Sequence, residues 1–552
     1  MGDGTASWDA ATGTLVLENA TISYYMEICP EDPTQTVTIV LKGNNTVTHN
    51  NMVLYSNANV ILTAEEGATL TDQGCALSNV FYAKGDLTVQ RGAYILTSTA
   101  DYPILASDSD VTIKDGANLT LNSQNSSAIY GAGCITVAGA TTKVDSQSHY
   151  CTMLNGQVVI DGATVTGHTV ADHPIYTTIG GISIANGANV ELTSDYSDAT
   201  ALFVNGEYTL SITDSQLTAS TGSTTLFTKG DVVIDNSIVD ISSGANPINA
   251  WGDLEVKVTN TQLTTTGTNP VIANTVAISG GTVNVTATSG TAITGNNGVP
   301  ITSGNVTTST TAAMSAIYAA NGDIVFDDKN TKVTATSALD SAVFTRNGTI
   351  TLNAGEINAT AGENKAAFTA RISDQTDTST APKALIGIGE NFEAKGNMVA
   401  TTVWKNDGTS SYYADTMLVP IDTALNNDGL LPEDYVPTNN QVNITLKPAD
   451  YTAVDAAAAK AAALNPSDYV DFSGVVAAVA AVDRTKDITQ QAEVDAIENA
   501  IAQLQRIPDT KPDNTEDDKV DSPDTGDTSF APLAVLALAG IGTVLAMRRQ
   551  TL

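Results

Sequence analysis

The sequence predicts a mainly β protein. Its largest part is a right-handed parallel β-helix, followed by a small three-helix bundle, a disordered linker and a C-terminal transmembrane helix. Three observations predict this order. A short apolar strand recurs about every 24 residues between residues 37 and 370, residues 448–507 are Ala-rich with helical periodicity, and residues 530–547 carry no charge. Repeats of this length are typical of solenoids, and an uncharged stretch of this length can span a bilayer.

Each repeat contains the recurrent strand and two further short apolar segments, separated by turn residues. Residues 110–131, DVTIKDGANLTLNSQNSSAIYG, show VTI, NLTL and AIYG in order. Three short strands per repeat form one coil of a parallel β-helix, whereas βαβ units, propeller blades and immunoglobulin-like domains need longer repeats or helices. Right-handed coiling is expected because parallel crossovers take that hand. Pro300 predicts a local irregularity because it removes a ladder donor. The predicted copies of the recurrent strand are Val37–Ile39, Val60–Leu62, Leu87–Val89, Val111–Ile113, Ile135–Val137, Val158–Ile160, Ile182–Ile184, Leu210–Ile212, Val232–Ile234, Val256–Val258, Val276–Ile278, Val299–Ile301, Ile324–Phe326 and Ile350–Leu352.

The repeat pattern also sets the domain boundaries. We place the β-helix at residues 1–420, with a ragged cap at 371–420 where the period fades, and a Pro-containing connector at 421–447. Residues 448–507 read as three short helices, and Asp471 is placed to cap the second. The segments YVDFSGVVAAV and VDAIENAI of this bundle resemble the FIVAR modules of Gram-positive surface proteins. That resemblance implies architecture rather than an activity.

The C-terminal stretch has the composition of a membrane anchor. Residues 508–529 form an acidic, extended linker, residues 530–547 the predicted transmembrane helix, and residues 548–552 a short basic tail. Positive charge directly after a span marks the cytoplasmic side, so the bulk of the chain is expected outside the cell.

The sequence SPDTG in this linker resembles the LPxTG sorting signal of Gram-positive bacteria. Its residues are Ser522, Pro523, Asp524, Thr525 and Gly526, with Ser522 in place of the usual Leu. The resemblance implies that a sortase cleaves between Thr525 and Gly526 and joins Thr525 covalently to peptidoglycan. It therefore implies a cell-wall protein that is inserted in the membrane only transiently. Ser522 leaves the class of sortase open.

The N-terminus, MGDGTASWDAATG, has neither the basic nor the apolar region of a signal peptide. Because a sorting signal requires export, we expect that the chain as given lacks its true N-terminus.

Composition narrows the function classes further. The formal net charge of -36 excludes nucleic acid as a partner, since phosphate binding needs Lys and Arg. The four cysteines are predicted to be packing residues rather than metal or redox groups, because no CxxC spacing occurs. A disulfide between two of them is left open; they are Cys29, Cys75, Cys134 and Cys151.

The first 50 residues carry a second resemblance. The segments WDAATGTLVLENATIS, with Trp8, Leu15 and Leu17, and TVTIVLKGNNTVT (Thr36–Thr48) resemble carbohydrate-binding, pectate-lyase-like β-helices of gut and cellulolytic Firmicutes. The resemblance implies acidic plant glycans and calcium as ligands.

The residues themselves do not predict an enzyme. A lyase or glycosidase needs clustered carboxylates with a basic residue. No two of the arginines in the repeats share a coil with an Asp pair; they are Arg91, Arg346 and Arg371. The histidines show no carboxylate partners in register; they are His49, His149, His168 and His173. A polysaccharide lyase is the less favoured alternative.

Aspartates form the candidate cation sites. Asp86 and Asp110 are 24 residues apart, and Asp231 and Asp253 are 22 apart, so each pair should stack on neighbouring coils. All four residues, and Asp323 as well, come just before a copy of the recurrent strand. Stacked carboxylates repel unless hydrated or bridged, and Ca²⁺ accepts such ligands. The alternative is Asx turns at the coil corners. The adjacent pair Asp327 and Asp328 has the same two interpretations.

Aromatic residues are the candidate glycan contacts, because rings stack on the apolar faces of sugars. They are Tyr130, Tyr150, Tyr176, Phe203 and Trp251, each near the third segment of its coil. Their recurrence favours an interior aromatic stack over an outward platform.

Two functions therefore compete: an adhesin that binds a plant or host polysaccharide or another surface ligand, and a structural stalk without a specific ligand.

Overall fold

The computed structural model describes residues 4–48, 52–72, 74, 79–257, 261–363, 365, 367–372, 386–388, 392–396, 401–406, 411–416, 441–446, 451–482 and 491–508. The chain divides into two compact units, residues 1–446 and residues 447–552. The sorting motif at 522–526, the predicted span at 530–547 and the basic tail at 548–552 lie outside the described residues.

The first unit is a β-solenoid of about 14 turns, as the repeat predicted. Each coil contributes one strand to each of three parallel sheets. The strands pair with those of the neighbouring coils in regular register, apart from local shifts in Ile129–Ala138 and Val271–Ala287. Successive coils are therefore spaced by the usual distance between paired strands, about 4.8 Å. The right-handed coiling stays a prediction.

The first sheet contains the recurrent apolar strand. Its strands are Thr14–Glu18, Thr36–Lys42, Asn59–Ala64, Leu87–Gln90, Val111–Lys114, the second parts of Ile129–Ala138 and Met153–Asp161, Ile182–Ala185, Leu210–Thr213, Val232–Asp235, Leu254–Lys257, the middle parts of Val271–Ala287 and Ile293–Thr310, Asp323–Phe326, Ile350–Leu352 and Ile386–Ile388. Thr5–Asp9 pairs antiparallel with Thr14–Glu18 at the N-terminal end.

The second sheet follows the first along each coil. Its strands are Thr21–Ile22, Asn44–Val47, Thr69–Asp72, Ala93–Ser98, Asn118–Ser123, Lys143–Ser148, Thr164–Thr169, Asn189–Ser194, Gln216–Thr221, Ile238–Ser243, Gln262–Gly267, the last parts of Val271–Ala287 and Ile293–Thr310, Lys332–Ser337 and Glu356–Thr360.

The third sheet closes each coil. Its strands are Met26–Ile28, Leu54–Ser56, Phe81–Ala83, Ile104–Ala106, the first parts of Ile129–Ala138 and Met153–Asp161, Ile175–Thr177, Thr200–Val204, Thr224–Thr228, Asn246–Ala250, the first parts of Val271–Ala287 and Ile293–Thr310, Ile317–Ala319, Val343–Thr345, Phe368–Ile372 and Thr401–Asn406.

Antiparallel strands end the solenoid. Ser411–Thr416 pairs with Thr401–Asn406, and Gln441–Leu446 pairs with both Glu356–Thr360 and Phe392–Gly396. Gln441–Leu446 belongs to the segment predicted as a connector, so the described part of that segment includes a strand of the solenoid's last coils. An antiparallel strand covers a sheet edge that would otherwise invite pairing with another chain.

The core is made of inward columns in which equivalent residues of successive coils stack. Ile184, Ile212 and Ile234 form one such column in the first sheet, and all three are fully buried. Burying an Ile side chain contributes roughly 1.5–3 kcal/mol, so a column repeated over the coils supplies the main stabilisation. The alternation of buried and exposed residues along each strand follows from the two-residue period of β structure.

One predicted strand was misplaced. Val256–Val258 was expected to be the recurrent strand, but the register pairs Val232 with Leu254 and Ile234 with Val256. The inward positions are therefore two residues earlier, and Leu254 is buried. Sequence alternation alone fitted both registers, and only the neighbouring coil decides between them.

The irregularity predicted at Pro300 is present. The strands Val271–Ala287 and Ile293–Thr310 pair with register shifts that flank this position. On its other side, Pro300 pairs in register opposite Val325. A proline cannot donate to the ladder, so its missing N–H is accommodated on the irregular side.

The described part of the second unit contains three short helices: α1 (Thr452–Ala462), α2 (Ser473–Ala480) and α3 (Gln491–Ala502), with a 3₁₀ turn at Pro466–Asp468. Asp471 Oδ1 accepts the backbone N–H of Ser473, the first residue of α2, at 2.8 Å, but the N-cap position is Phe472, one residue after the predicted cap. This hydrogen bond lowers the pKa of Asp471. The buried residues that hold the helices together are Val454, Ala457, Ala461, Val475 and Ile497. Among the helices of the described residues, none is long and apolar enough to cross a membrane.

Candidate functional site

The third sheet has an outward row of large side chains. On most of these strands one residue points outward between two buried neighbours, as Tyr176 does between Ile175 and Thr177. All members of the row except Leu105 are partly exposed, so the preference for an interior aromatic stack was wrong. The row, in chain order, is Tyr55, Tyr82, Leu105, Tyr130, Leu154, Tyr176, Phe203, Phe227, Asn249, Ile272, Thr294, Tyr318 and Phe344.

Part of this row is a continuous ring stack. The ring centroids of Tyr176 and Phe203 are 5.1 Å apart with planes 28° apart, and those of Phe203 and Phe227 are 4.9 Å and 17° apart. His173 also stacks on Phe203, at 4.6 Å and 21°. Stacked rings cover one another's faces, so solvent meets mainly their edges. Within the stack the rings therefore stabilise neighbouring coils rather than offer sugar platforms.

Trp251 ends the stack in a different orientation. Its ring lies 5.9 Å from Phe227 with the planes 79° apart, and the residue is 58% exposed. The Nζ of Lys229 lies 5.7 Å from the indole centroid, within the range of a cation–π interaction. Because it does not share the parallel stacking of its neighbours, Trp251 offers the indole surface that a ligand ring could contact.

The backbone fixes the corner that carries Trp251. The residue follows the strand Asn246–Ala250, and its N–H donates to the Thr228 carbonyl at 3.0 Å. A Cβ on Gly252 would overlap the backbone of Gly230 and the carboxylate of Asp231, so only glycine fits there. The indole is thus presented from a tight turn rather than from a long loop.

Polar residues occupy the corner positions of the adjacent coils. Lys229 and Asn274 occupy the equivalent corner position before and after Trp251, and Asp231 and Asp253 follow two residues after Lys229 and Trp251. Two coils before Trp251, Asn205 Nδ2 donates to the Tyr176 hydroxyl at 3.2 Å. An exposed ring with amides, carboxylates and one ammonium is the mixture found in sites that orient small polar ligands.

The structure does not bring the other predicted aromatics to this corner. Tyr130 belongs to the coil five before that of Trp251, and Tyr176 to the coil three before it. At about 4.8 Å per coil these offsets are roughly 24 and 14 Å. Tyr130 accepts a hydrogen bond from Asn155 at 3.0 Å, and Tyr150 packs edge-on against His149 at 4.7 Å. Tyr150 is 40% exposed and precedes its third-sheet strand.

The predicted aspartate pairs do stack on neighbouring coils, and each has a hydrogen-bond role. Asp86 Oδ1 accepts the N–H of Asp110 at 3.3 Å, and Asp110 Oδ1 accepts that of Cys134 at 2.6 Å. Asp323 Oδ1 likewise accepts the N–H of Thr349 at 2.7 Å. The carboxylates connect each coil to the next, which is closer to the turn interpretation than to a cation site.

The second pair behaves in the same way. Asp231 Oδ1 accepts the N–H of Asp253 at 2.9 Å, and Asp253 Oδ1 accepts that of Thr275 at 2.9 Å. Of the adjacent pair, Asp328 Oδ1 caps a turn through the N–H of Asn330 at 2.7 Å. Within the described ranges, no group of three or more His, Cys, Asp or Glu could hold a metal ion. Calcium binding by Asp327, Asp328 or the stacked pairs stays a prediction.

Replacing Asp253 tests the connecting role. Asn keeps the oxygen that accepts the Thr275 N–H, whereas Ala removes it. We expect Asp253→Ala to lower the free energy of unfolding by about 1 kcal/mol and Asp253→Asn to change it much less. Urea unfolding of the two variants, each with calcium and with chelator, measures this. A different result would assign the carboxylates to a cation: Asp253→Asn lowers the free energy of unfolding as much as Asp253→Ala does, and calcium stabilises the wild type but neither variant.

Two histidines have partners that the sequence did not show. His168 Nδ1 lies 3.0 Å from the Thr193 hydroxyl, and its Nε2 lies 3.3 Å from Asp195. His173 Nε2 lies 3.8 Å from Asp172. The sequence predicted no partners in strand register, and these two carboxylates lie outside that register. Asp195 and Asp172 lie outside the strands, where register gives no guide. His49 lies outside the described residues.

His173 gives the stack a pH dependence. Its Nδ1 accepts the Thr200 N–H at 2.8 Å, which requires an unprotonated nitrogen. Burial lowers the pKa of His173, and Asp172 opposes this by raising it. The unfolded chain therefore takes up the proton more readily, so this stability is present above the ordinary His pKa of about 6.5 and is lost as the pH falls below it.

We expect the melting temperature of the wild type to fall between pH 7.5 and pH 5.5 by more than that of His173→Gln. The Gln amide oxygen can still accept the Thr200 N–H but cannot titrate. Thermal unfolding of both proteins at the two pH values is the measurement. Equal falls in the two proteins would assign the pH dependence to other groups.

The cysteines differ in exposure. Cys151 is buried, and burial followed by the nearby Asp172 raises the pKa of its thiol. Cys134 is half-buried and Cys29 is exposed, so a packing role fits Cys151 but not Cys29. Cys29, Cys134 and Cys151 are free thiols, and Cys75 lies outside the described residues.

Comparison of the chain with protein-family models, curated proteins and solved structures finds no match. The likenesses to sorting signals, FIVAR modules and carbohydrate-binding β-helices therefore depend on the sequence motifs alone.

Proposed function

We propose that the protein is a non-catalytic surface adhesin that binds polysaccharide through the Trp251 corner of its solenoid. The observation that carries the proposal is the orientation of Trp251, which is 58% exposed and turned 79° from the stacked ring of Phe227. An indole presented from a rigid corner binds a sugar ring with little loss of conformational freedom. Lys229 and the neighbouring amides can supply the polar contacts that orient the sugar.

The second part of the proposal concerns location. A sortase would recognise Ser522 to Gly526 and join Thr525 to peptidoglycan, with residues 530–547 holding the chain at the membrane until cleavage. The support is the order of motif, apolar stretch and basic tail in the sequence. In this arrangement the solenoid is displayed outside the wall of a Gram-positive bacterium. The excess of negative charge keeps such a surface protein soluble.

A glycan array tests the binding function. The purified full chain is applied to neutral and acidic plant and host polysaccharides, with calcium and with chelator. We expect at least one class to retain the wild type. If no polysaccharide retains the protein under either condition, the adhesin proposal is wrong.

A structural stalk is the second candidate, and one observation favours it. The parallel stacking of Tyr176, Phe203 and Phe227 stabilises neighbouring coils and leaves mainly ring edges exposed. A solenoid serving only as a spacer needs such rigidity and no ligand. The array separates the two candidates directly.

A further inference from the structure

From the charges at the Trp251 corner we infer that the ligand is a neutral polysaccharide rather than a polyuronate. This inference rests on the proposed glycan binding and specifies its chemical class. It departs from the acidic glycans that the N-terminal sequence likeness implies. The argument depends on Trp251, Lys229, Asp231 and Asp253.

The carboxylates at the corner outnumber the cation. Asp231 and Asp253 are both exposed, and each uses Oδ1 to accept a backbone N–H from the next coil. An exposed aspartate is ionised at neutral pH, so both residues carry negative charge. Lys229, at the position equivalent to Trp251 on the preceding coil, carries one positive charge against these two negative ones. The corner therefore has an excess of negative charge.

The cation is also partly engaged. The Nζ of Lys229 lies 5.7 Å from the indole centroid, where the ring attracts it. A polyuronate carries one carboxylate per sugar and would meet Asp231 and Asp253 as like charges. The whole chain adds to this repulsion, since its formal net charge is -36.

A neutral sugar fits the same groups. Its hydroxyls can donate to the second carboxylate oxygens of Asp231 and Asp253 and accept from Lys229 and the amide of Asn274. Its apolar ring face can lie on the indole of Trp251. Hydrogen bonds to charged partners are the stronger class, so two carboxylates that repel uronates also select for hydroxyl donors.

The test compares a neutral hexose oligomer with a galacturonic acid oligomer of the same length. Both are titrated into the full chain with a chelator present, so that calcium cannot bridge carboxylates. We expect the neutral oligomer to bind at least about tenfold more tightly. The double variant Asp231→Asn/Asp253→Asn keeps both side-chain oxygens that accept backbone N–H groups but removes the two negative charges. It should bring the affinities for the two oligomers closer together. Trp251→Ala should weaken the neutral oligomer.

Tighter or equal binding of the galacturonic acid oligomer, lost in Trp251→Ala, would overturn the inference and leave the proposed glycan binding intact. An unchanged ratio in the double Asn variant would overturn it as well. Absence of binding by either oligomer, together with an empty glycan array, would overturn the proposed function itself.

Discussion

Trp251→Ala is expected to weaken polysaccharide binding at least about 30-fold, a loss of about 2 kcal/mol or more. The indole is the large exposed surface of the corner, and truncation removes both its ring face and the cation–π partner of Lys229. Aromatic residues at the centre of a contact surface commonly carry this share of the binding energy. Affinity electrophoresis or calorimetric titration of the full chain measures the loss.

Trp8→Ala is the matched control. Trp8 is also a half-exposed tryptophan, at 52%, but it lies on the N-terminal strand Thr5–Asp9. We expect it to bind polysaccharide as the wild type does. Melting temperatures of both variants close to that of the wild type would show that the loss of binding in Trp251→Ala does not come from unfolding. Wild-type affinity in Trp251→Ala would remove this residue from the site.

Thr525→Ala is expected to abolish attachment to the cell wall. In the proposed reaction a sortase attacks the Thr525 carbonyl, breaks the bond to Gly526 and transfers the Thr525 carboxyl to an amine of peptidoglycan. The sortase would recognise the motif by its side chains, so a motif without the Thr525 side chain should not be cleaved. The protein is then expected to be membrane-associated or released instead of linked to the wall. Fractionation of cells after wall digestion measures it.

The neighbouring threonine gives the control for that experiment. Thr528 lies two residues beyond Gly526, outside the motif, and Thr528→Ala should leave attachment unchanged. Wall attachment of Thr525→Ala at the wild-type level would contradict the sorting proposal. Equal loss in both variants would indicate a general defect of export rather than of cleavage.

The solenoid could be predicted from the sequence because its signal is repeated. A strand such as Ile182–Ala185 is only four residues long, yet the same alternation returns in the neighbouring coils and fixes the fold class. Register was harder, and Val256–Val258 was placed two residues late because LEV and VKV alternate equally well. The partner coil decides, since Val232 pairs with Leu254.

The residues of the proposed site were predicted only in part. Trp251 and Tyr176 were predicted as candidate glycan contacts, but their orientation depends on which residues of the third sheet face outward. The role of Lys229 required knowing that it lies one coil before Trp251 at the same corner. A sequence signal existed: in TLFTKG and NAWG the two residues precede glycines at equivalent positions of consecutive repeats. The angle of 79° that turns Trp251 away from the stack comes from side-chain packing, which periodicity does not encode.

The most direct test of the account is the fluorescence of Trp251 during ligand binding. The chain has three tryptophans, so Trp8→Phe/Trp404→Phe leaves Trp251 as the single indole. Titration with the polysaccharide that the array identifies should change its emission saturably, with the same midpoint as calorimetric binding. Binding at wild-type affinity with the emission of Trp251 unchanged would contradict the central claim that the ligand lies on this ring.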